Sequence, residues 1–228
     1  MTVAYRDDML VKHIDTHGSD AKIAHAARVS TKGLNNQQGK IEGLVKALWR
    51  DGHYSPFEHC HITIAFEVPL FVRDQIVRHK SMSFSVMSGR YTEMMPEFWW
   101  PDIGRPCQQV GKPLNYERVY DAETWNRAVS GTGVAANFSW TVYQELIEGG
   151  VCNEVARAVL PASIYTRMWV TGSLRSWLHF LDQRADEHAQ YEIRQVANSV
   201  AEIVDQEFPI AFEAWYVSRG ATNKTGEE

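Results

Sequence analysis

The stretch His61-Ile62-Thr63-Ile64-Ala65-Phe66-Glu67-Val68 alternates apolar and mostly polar side chains, then breaks at Pro69. A period of two marks a half-buried strand. Pro69 suits a first helical turn, so Leu70 to Arg78 is expected to be helical. A strand that feeds straight into a helix makes this an α/β chain. The remaining signals fit that class.

Ala21 to Val29 reads as a short helix, with Ser19 or Asp20 as its cap. Ile41, Leu44, Val45 and Leu48 recur at helical spacing, and Gly52 stops that helix. Lys80 to Gly89 has no sustained period and reads as a loop, with a short strand near Arg90-Tyr91-Thr92. Four prolines between residues 96 and 116 suggest a surface excursion. Helices are expected over 121–128 and 137–149, and from Glu154 to Leu160 behind an Asn153 cap. Ile164 to Thr171 is a second strand candidate, Ser173 caps a helix to about Gln183, and a long helix runs from about Asp186 to Gln206. No repeat or linker divides the chain, so residues 1–228 are expected to form one domain, with 218–228 a flexible tail.

The chain has 228 residues, 44% of them hydrophobic, which is enough for a core. No run approaches the roughly 20 apolar residues of a membrane span. The N-terminus lacks a signal-peptide core, and a cytoplasmic location is expected. Cys60, Cys107 and Cys152 show no ligand spacing and read as free thiols. A net charge of −5 argues against nucleic acid as a partner, so any anionic ligand must meet a local group of arginines.

Arg78-His79-Lys80 opens such a group, and a serine-rich segment returns to Ser88-Gly89-Arg90. Gly89 allows close backbone approach, Ser88 offers a hydroxyl, and Arg90 suits a phosphate. Gln75, Arg78 and His79 would share one helical face. Solvated charges at a helix end explain Arg78 and Lys80 equally well. Arg175 and His179 lie one turn apart, as do Arg184 and His188 if the helix continues. Asp182, Asp186 and Glu187 offer Arg184 a surface ion-pair network instead. Arg157, in an apolar turn, needs a carboxylate or a ligand phosphate. His53, His59 and His61 have poor spacing for a metal. No GxSxG elbow, phosphate loop or GxGxxG fingerprint occurs, so a flavin would not sit on a Rossmann crossover.

The segment Arg78 to Tyr91 resembles the hallmark motif of the flavin-dependent thymidylate synthases (the ThyX family) through Arg78, His79, Ser83, Ser88, Gly89 and Arg90. Further blocks resemble the family in family order. They are Ala26-Ala27-Arg28-Val29-Ser30, Ser55-Pro56-Phe57-Glu58-His59, Glu154-Val155-Ala156-Arg157 with Leu160-Pro161, and Arg184-Ala185-Asp186-Glu187-His188-Ala189. The resemblance implies a mixed α/β fold with a central, mostly antiparallel sheet flanked by helices. It also implies a homotetramer with active sites between subunits, using FAD, dUMP, methylenetetrahydrofolate and NADPH. By position, Gln75, Arg78, Val86, Met87, Ser88, Gly89, Arg90, Arg157 and Arg184 match residues that bind dUMP. Ser55, Arg78, His79, Lys80, Val86, Ser173, Leu174, Arg175 and His179 match FAD contacts. Arg184 also matches the arginine that promotes ionisation at N3 of the uracil.

The chain departs from the family motif at Lys80, which stands in place of an arginine, at Ser85, where asparagine is common, and at Val86, where a polar residue is expected. These changes leave room for hydroxymethylation of a pyrimidine nucleotide on the same scaffold, or for a binding module without catalysis. A metal-dependent phosphohydrolase built on His53 to His61 is the outsider. Ser30, His53, Glu58 and His188 are further candidates to line the flavin or folate pocket, with no individual role assigned.

Overall fold

The computed structural model describes residues 2–34, 39–102, 104–112, 115–118 and 121–222. The chain runs β1 (Ala4–Arg6), β2 (Leu10–His17), α1 (Asp20–Lys32), α2 (Glu42–Arg50), a 3-10 turn (Ser55–His59), β3 (His61–Pro69), α3 (Leu70–Ile76) and β4 (Ser83–Val86). It continues through β5 (Glu97–Trp99), β6 (Gln108–Gln109), β7 (Tyr116–Glu117), α4 (Ala122–Glu148), α5 (Asn153–Ala156) and a 3-10 turn (Arg157–Val159). The last elements are β8 (Tyr165–Ser173), α6 (Leu174–Arg184), α7 (Tyr191–Glu207) and α8 (Pro209–Thr222). A four-stranded antiparallel sheet has the order β2-β3-β8-β4, so the fold is mixed α/β as expected.

One compact unit comprises Met1–Leu10, Phe66–Ile76 and Ser85–Met168. In it β1 pairs in parallel with β5, and Met94, Phe98, Trp140, Tyr143 and Ile164 form a buried cluster. Arg6 and Arg167 each bond both Glu67 and Glu97, so two cations face two carboxylates across β1, β3, β5 and β8. The second unit comprises Val11–Ala65, Val77–Phe84 and Trp169–Glu228. Its core holds Ile23, Val45, Phe57, Ile62, Ile64, Trp177, Leu178 and Phe208, each fully buried. Ile193, Val196, Val200 and Val204 add a stripe at helical spacing from α7.

Several expectations change. Pro69 ends β3, and the helix after it stops at Ile76, so Arg78 and His79 lie in the turn beyond and share no helical face with Gln75. Part of the Lys80–Gly89 loop is strand β4, whereas Arg90-Tyr91-Thr92 is a turn. The proline-rich stretch contributes β5, with Pro96 and Phe98 buried; Ile103, Pro113 and Leu114 lie outside the described residues. The two helices expected over 121–149 are one, α4, capped by Asp121 accepting from the backbone N–H of Glu123 and Thr124. Gly131 and Gly133 do not interrupt it; at Gly133 a Cβ would come 3.2 Å from the Trp100 ring, so that position is small for packing. Helix α5 ends at Ala156, short of Leu160.

Tyr191 rather than Asp186 begins α7, so Arg184 and His188 are not on one helix; His188 instead meets Asp186. Helix α8 has no counterpart among the expected elements. Pro209 supplies its first turn, and both oxygens of Asp20 accept from the N–H groups of Ile210 and Ala211, each at 3.0 Å. α8 runs to Thr222, within the stretch expected as a tail; residues 223–228 lie outside the described residues.

Candidate functional site

Within the second unit, the residues singled out in the sequence gather at the ends of α6. Ser173 closes β8 and caps α6, its Oγ accepting from Ser176 N at 3.2 Å. The same hydroxyl donates to Glu58 Oε2 at 2.5 Å, and Arg175 Nη1 donates to Glu58 Oε1 at 3.1 Å. The Arg175 guanidinium also lies 5.3 Å over the Tyr54 ring. One carboxylate from the 3-10 turn thus ties a buried helix cap to an exposed arginine. Trp49, Tyr54, Glu58, Arg175, His179 and Asp182 line a cleft of about 550 Å³, large enough for part of a nucleotide cofactor.

Leu174 lies here only by its backbone. Its side chain is fully buried and its N–H donates to Cys60 O. Ser55 is exposed at the start of the 3-10 turn.

At the other end of α6, Arg184 is the last helical residue and half-buried. Its Nε donates to His79 Nε2 at 3.1 Å. Asp182 instead accepts from Trp215 Nε1, and Asp186 from His188. His79 is buried edge-on against Phe180, with ring centroids 4.9 Å apart. Burial, then Arg184, then His179 hold its imidazole down at about 4, so it is neutral near pH 7. Burial and the neighbouring Arg78 likewise lower Arg184, although a guanidinium keeps its charge regardless. Arg78 and Lys80 are exposed on either side of His79. This is a concentration of cations around a neutral acceptor, suited to an anion.

The first unit holds the other group. Met87 N donates to Arg167 O, and Ser88 Oγ accepts from Arg90 N at 3.3 Å, closing a local turn. Ser88, Met87 and Val86 are half-buried, and Gly89 is buried. A Cβ on Gly89 would come 2.9 Å from Met94 Sδ and 3.2 Å from Arg157 Cδ, so the loop backbone and Arg157 are in close contact. Met94 N donates to Tyr143 OH, fixing the loop's far end against α4. Arg90 Nη2 meets Glu154 Oε2 at 3.1 Å. Arg157 itself is exposed at the start of its 3-10 turn, not semi-buried as the apolar turn suggested. Gln75 is half-buried on α3.

Sequence reasoning placed Glu58 only among candidates for the flavin or folate pocket, with no individual role, and did not consider Tyr54, Met94 or Tyr143. Their contributions depend on partners more than thirty residues distant, which no local pattern reports.

Residues 9–210 match the family model described as thymidylate synthase complementing protein. A flavin-dependent thymidylate synthase of Thermotoga neapolitana is 37% identical over 215 residues, covering 94% of each chain. That of Thermosipho africanus is 38% identical over 224 residues, covering 97% of each. A UMP/dUMP methylase, PolB, from Streptomyces cacaoi, solved with 5-Br UMP bound, superimposes with a TM-score of 0.88 at 32% identity. The match covers 94% of this chain and 96% of that one; a second structure of that protein, with 5-Br dUMP, has the same TM-score.

Proposed function

The chain belongs to the flavin-dependent thymidylate synthase family, and on that premise we propose that it converts dUMP to dTMP by reductive methylation. In this reading methylenetetrahydrofolate donates the carbon and NADPH-reduced FAD the hydride. The enzyme is a homotetramer with active sites built between subunits. The observation that carries the reading is Arg184, a half-buried cation aligned on a neutral imidazole and crowded by Arg78. Such a group gains most from a ligand on which negative charge develops.

The α6 cleft has the chemistry a flavin nucleotide requires. Trp49 and Tyr54 offer aromatic surface, and Arg175 stands over Tyr54 with its carboxylate partner fixed. The first-turn amides of Leu174 and Ser176 are already engaged by Cys60 O and Ser173 Oγ, so Arg175, with Lys80 and Arg78, would hold the diphosphate. Ser55, His79 and His179, with Val86 by the resemblance, complete the set assigned to FAD. Bound FAD supplies the hydride.

The chain's own residues do the rest. Arg90, Arg157 and the backbone of Val86 to Gly89 would hold the nucleotide, with Ser88 in a binding role; Gln75 and Arg78 are assigned to dUMP by the family resemblance. Arg184 near N3 and O2 of the uracil favours the ring anion, which makes C5 more nucleophilic. No cysteine is required as an attacking group. Cys60 is fully buried, burial raises its thiol, and it donates to Ser19 O.

The test is incubation of the purified protein with dUMP, methylenetetrahydrofolate and NADPH, followed by mass analysis of the nucleotide. A methyl group at C5 is expected. A hydroxymethyl product would replace the reading with its closest rival. A flavin-bearing protein that neither oxidises NADPH nor releases tritium from C5-labelled dUMP would overturn it. UMP belongs in the same assay, because the Streptomyces cacaoi protein is described as a methylase of both nucleotides.

A further inference from the structure

Arg184 sits where a side chain is hardest to fix. It is the last residue of α6, with the backbone turning away after it, and an arginine there has several rotatable bonds to order. One contact that orders it comes from far along the chain. We propose that His79 is a positioning residue for Arg184: its imidazole Nε2 accepts the Arg184 Nε–H and so sets the plane of the guanidinium toward the substrate ring. The proposal rests on the functional reading above.

The geometry supplies each element of this role. The 3.1 Å bond engages Nε and neither terminal nitrogen, so it orients the fork without itself occupying the prongs. The imidazole is held from two sides. Its ring packs on Phe180, one helical turn before Arg184 on α6, and its backbone carbonyl accepts from Met82 N at 3.1 Å. Phe180 is fully buried, so the series Phe180, His79, Arg184 anchors the guanidinium to the core. With Nε2 accepting, the single proton of the neutral ring lies on Nδ1.

Only one protonation state works. An imidazolium cannot accept the bond, and it would stand as a second cation beside Arg184. The charged and titratable groups facing the ring are Arg184 and His179 from α6, with Arg78 and Lys80 along its own segment. Burial first, then Arg184 and His179, disfavour a proton on His79. The acceptor is therefore maintained through the neutral range and lost near pH 4.

Two substitutions separate positioning from bulk. His79→Gln places an amide oxygen about where Nε2 lies, and His79→Phe keeps a ring against Phe180 but removes the acceptor. His79→Phe is expected to lower kcat by roughly 10- to 100-fold with a smaller change in KM for dUMP, the scale of a misplaced group. His79→Gln should restore most of that loss. In wild type, kcat/KM should fall on an acid limb toward pH 4–5, and His79→Gln should flatten that limb.

Equal loss in both variants, or wild-type kcat in His79→Phe, would overturn the proposal. If His79→Phe does not fold, the acid limbs of wild type and His79→Gln decide: an unchanged limb overturns it. The wild-type assay alone judges the parent reading. If wild type proves inactive, the Arg184 Nε–H proton resonance still decides. It should disappear on acidification in wild type and persist in His79→Gln.

Discussion

Two arginines assigned to anions, Arg175 in one unit and Arg90 in the other, form nearly identical ion pairs. Each meets a glutamate at 3.1 Å, and the side chains are 50% and 43% exposed in one pair, 47% and 55% in the other. Distance and exposure alone would rank them equal, near the roughly 0–1 kcal/mol of surface pairs. They differ in the glutamate's second oxygen. Glu58 also takes the hydroxyl of Ser173, a buried helix cap; Glu154 stands at the start of the four-residue helix α5. The first carboxylate is built into the fold and keeps Arg175 aimed, while the second, on the reading proposed above, would stand in for a ligand anion. Local geometry of an ion pair says little; what its partner is anchored to says more.

The largest test of this difference removes the cation at the ordered end of α6. Arg184→Ala should cut kcat by about 10²–10³-fold while flavin remains bound, since the loss falls on charge developing in the transition state. Retained turnover would mean the α6 region orders cofactor alone.

Acidification comes next. The ordinary value for histidine is 6.5 and His79 sits at about 4, so the unfolded chain takes the proton more readily. The stability this group contributes is complete above pH 6.5 and is lost as pH falls through the window to 4. At pH 4.5 the deficit should approach about 2–3 kcal/mol, since each tenfold difference in proton affinity between the folded and unfolded chain is worth about 1.36 kcal/mol. Carboxylates titrate in the same range, so the measure is the difference in thermal stability between wild type and His79→Gln at pH 7 and pH 4.5. A constant difference would show that burial of the imidazole carries no proton linkage.

Much of this was legible in sequence where the signal was local. Ser173 as a cap, the alternation of His61 to Val68 and the spacing around Leu44 depend on neighbours within a turn. The failures share a cause. The helices expected over 121–128 and 137–149 are one, because packing of α4 over Trp100 outweighs the roughly 1 kcal/mol that a glycine such as Gly133 costs a helix. Arg184 had acidic neighbours in sequence, but its Nε bonds a residue 105 positions away. Asp20 was a candidate cap for its own helix, and it caps α8 instead. Motif resemblance named the candidate residues; only the fold showed which of them hold one another.

The anchored carboxylate supplies the third test. Glu58→Gln removes the charge shared by Arg175 and Ser173, and an amide cannot accept at both ends with the same strength. Flavin affinity should fall about tenfold, near the roughly 1.5 kcal/mol lower bound for a hydrogen bond to a charged group. Equilibrium titration of the stripped protein with FAD measures it.

The smallest effect is the most discriminating, because the same substitution should act with opposite sign in the other unit. Glu154→Gln leaves the side chain's length and shape but withdraws the anion now paired with Arg90. If that carboxylate merely occupies the phosphate's position, its loss spares dUMP the displacement, and KM should fall by about twofold, within the range of an exposed pair. Folding stability should change by less than about 0.5 kcal/mol, as at other exposed positions. A KM that rises instead would show Glu154 orienting Arg90 as Glu58 orients Arg175. The two arginines would then be equivalent in mechanism as well as in geometry.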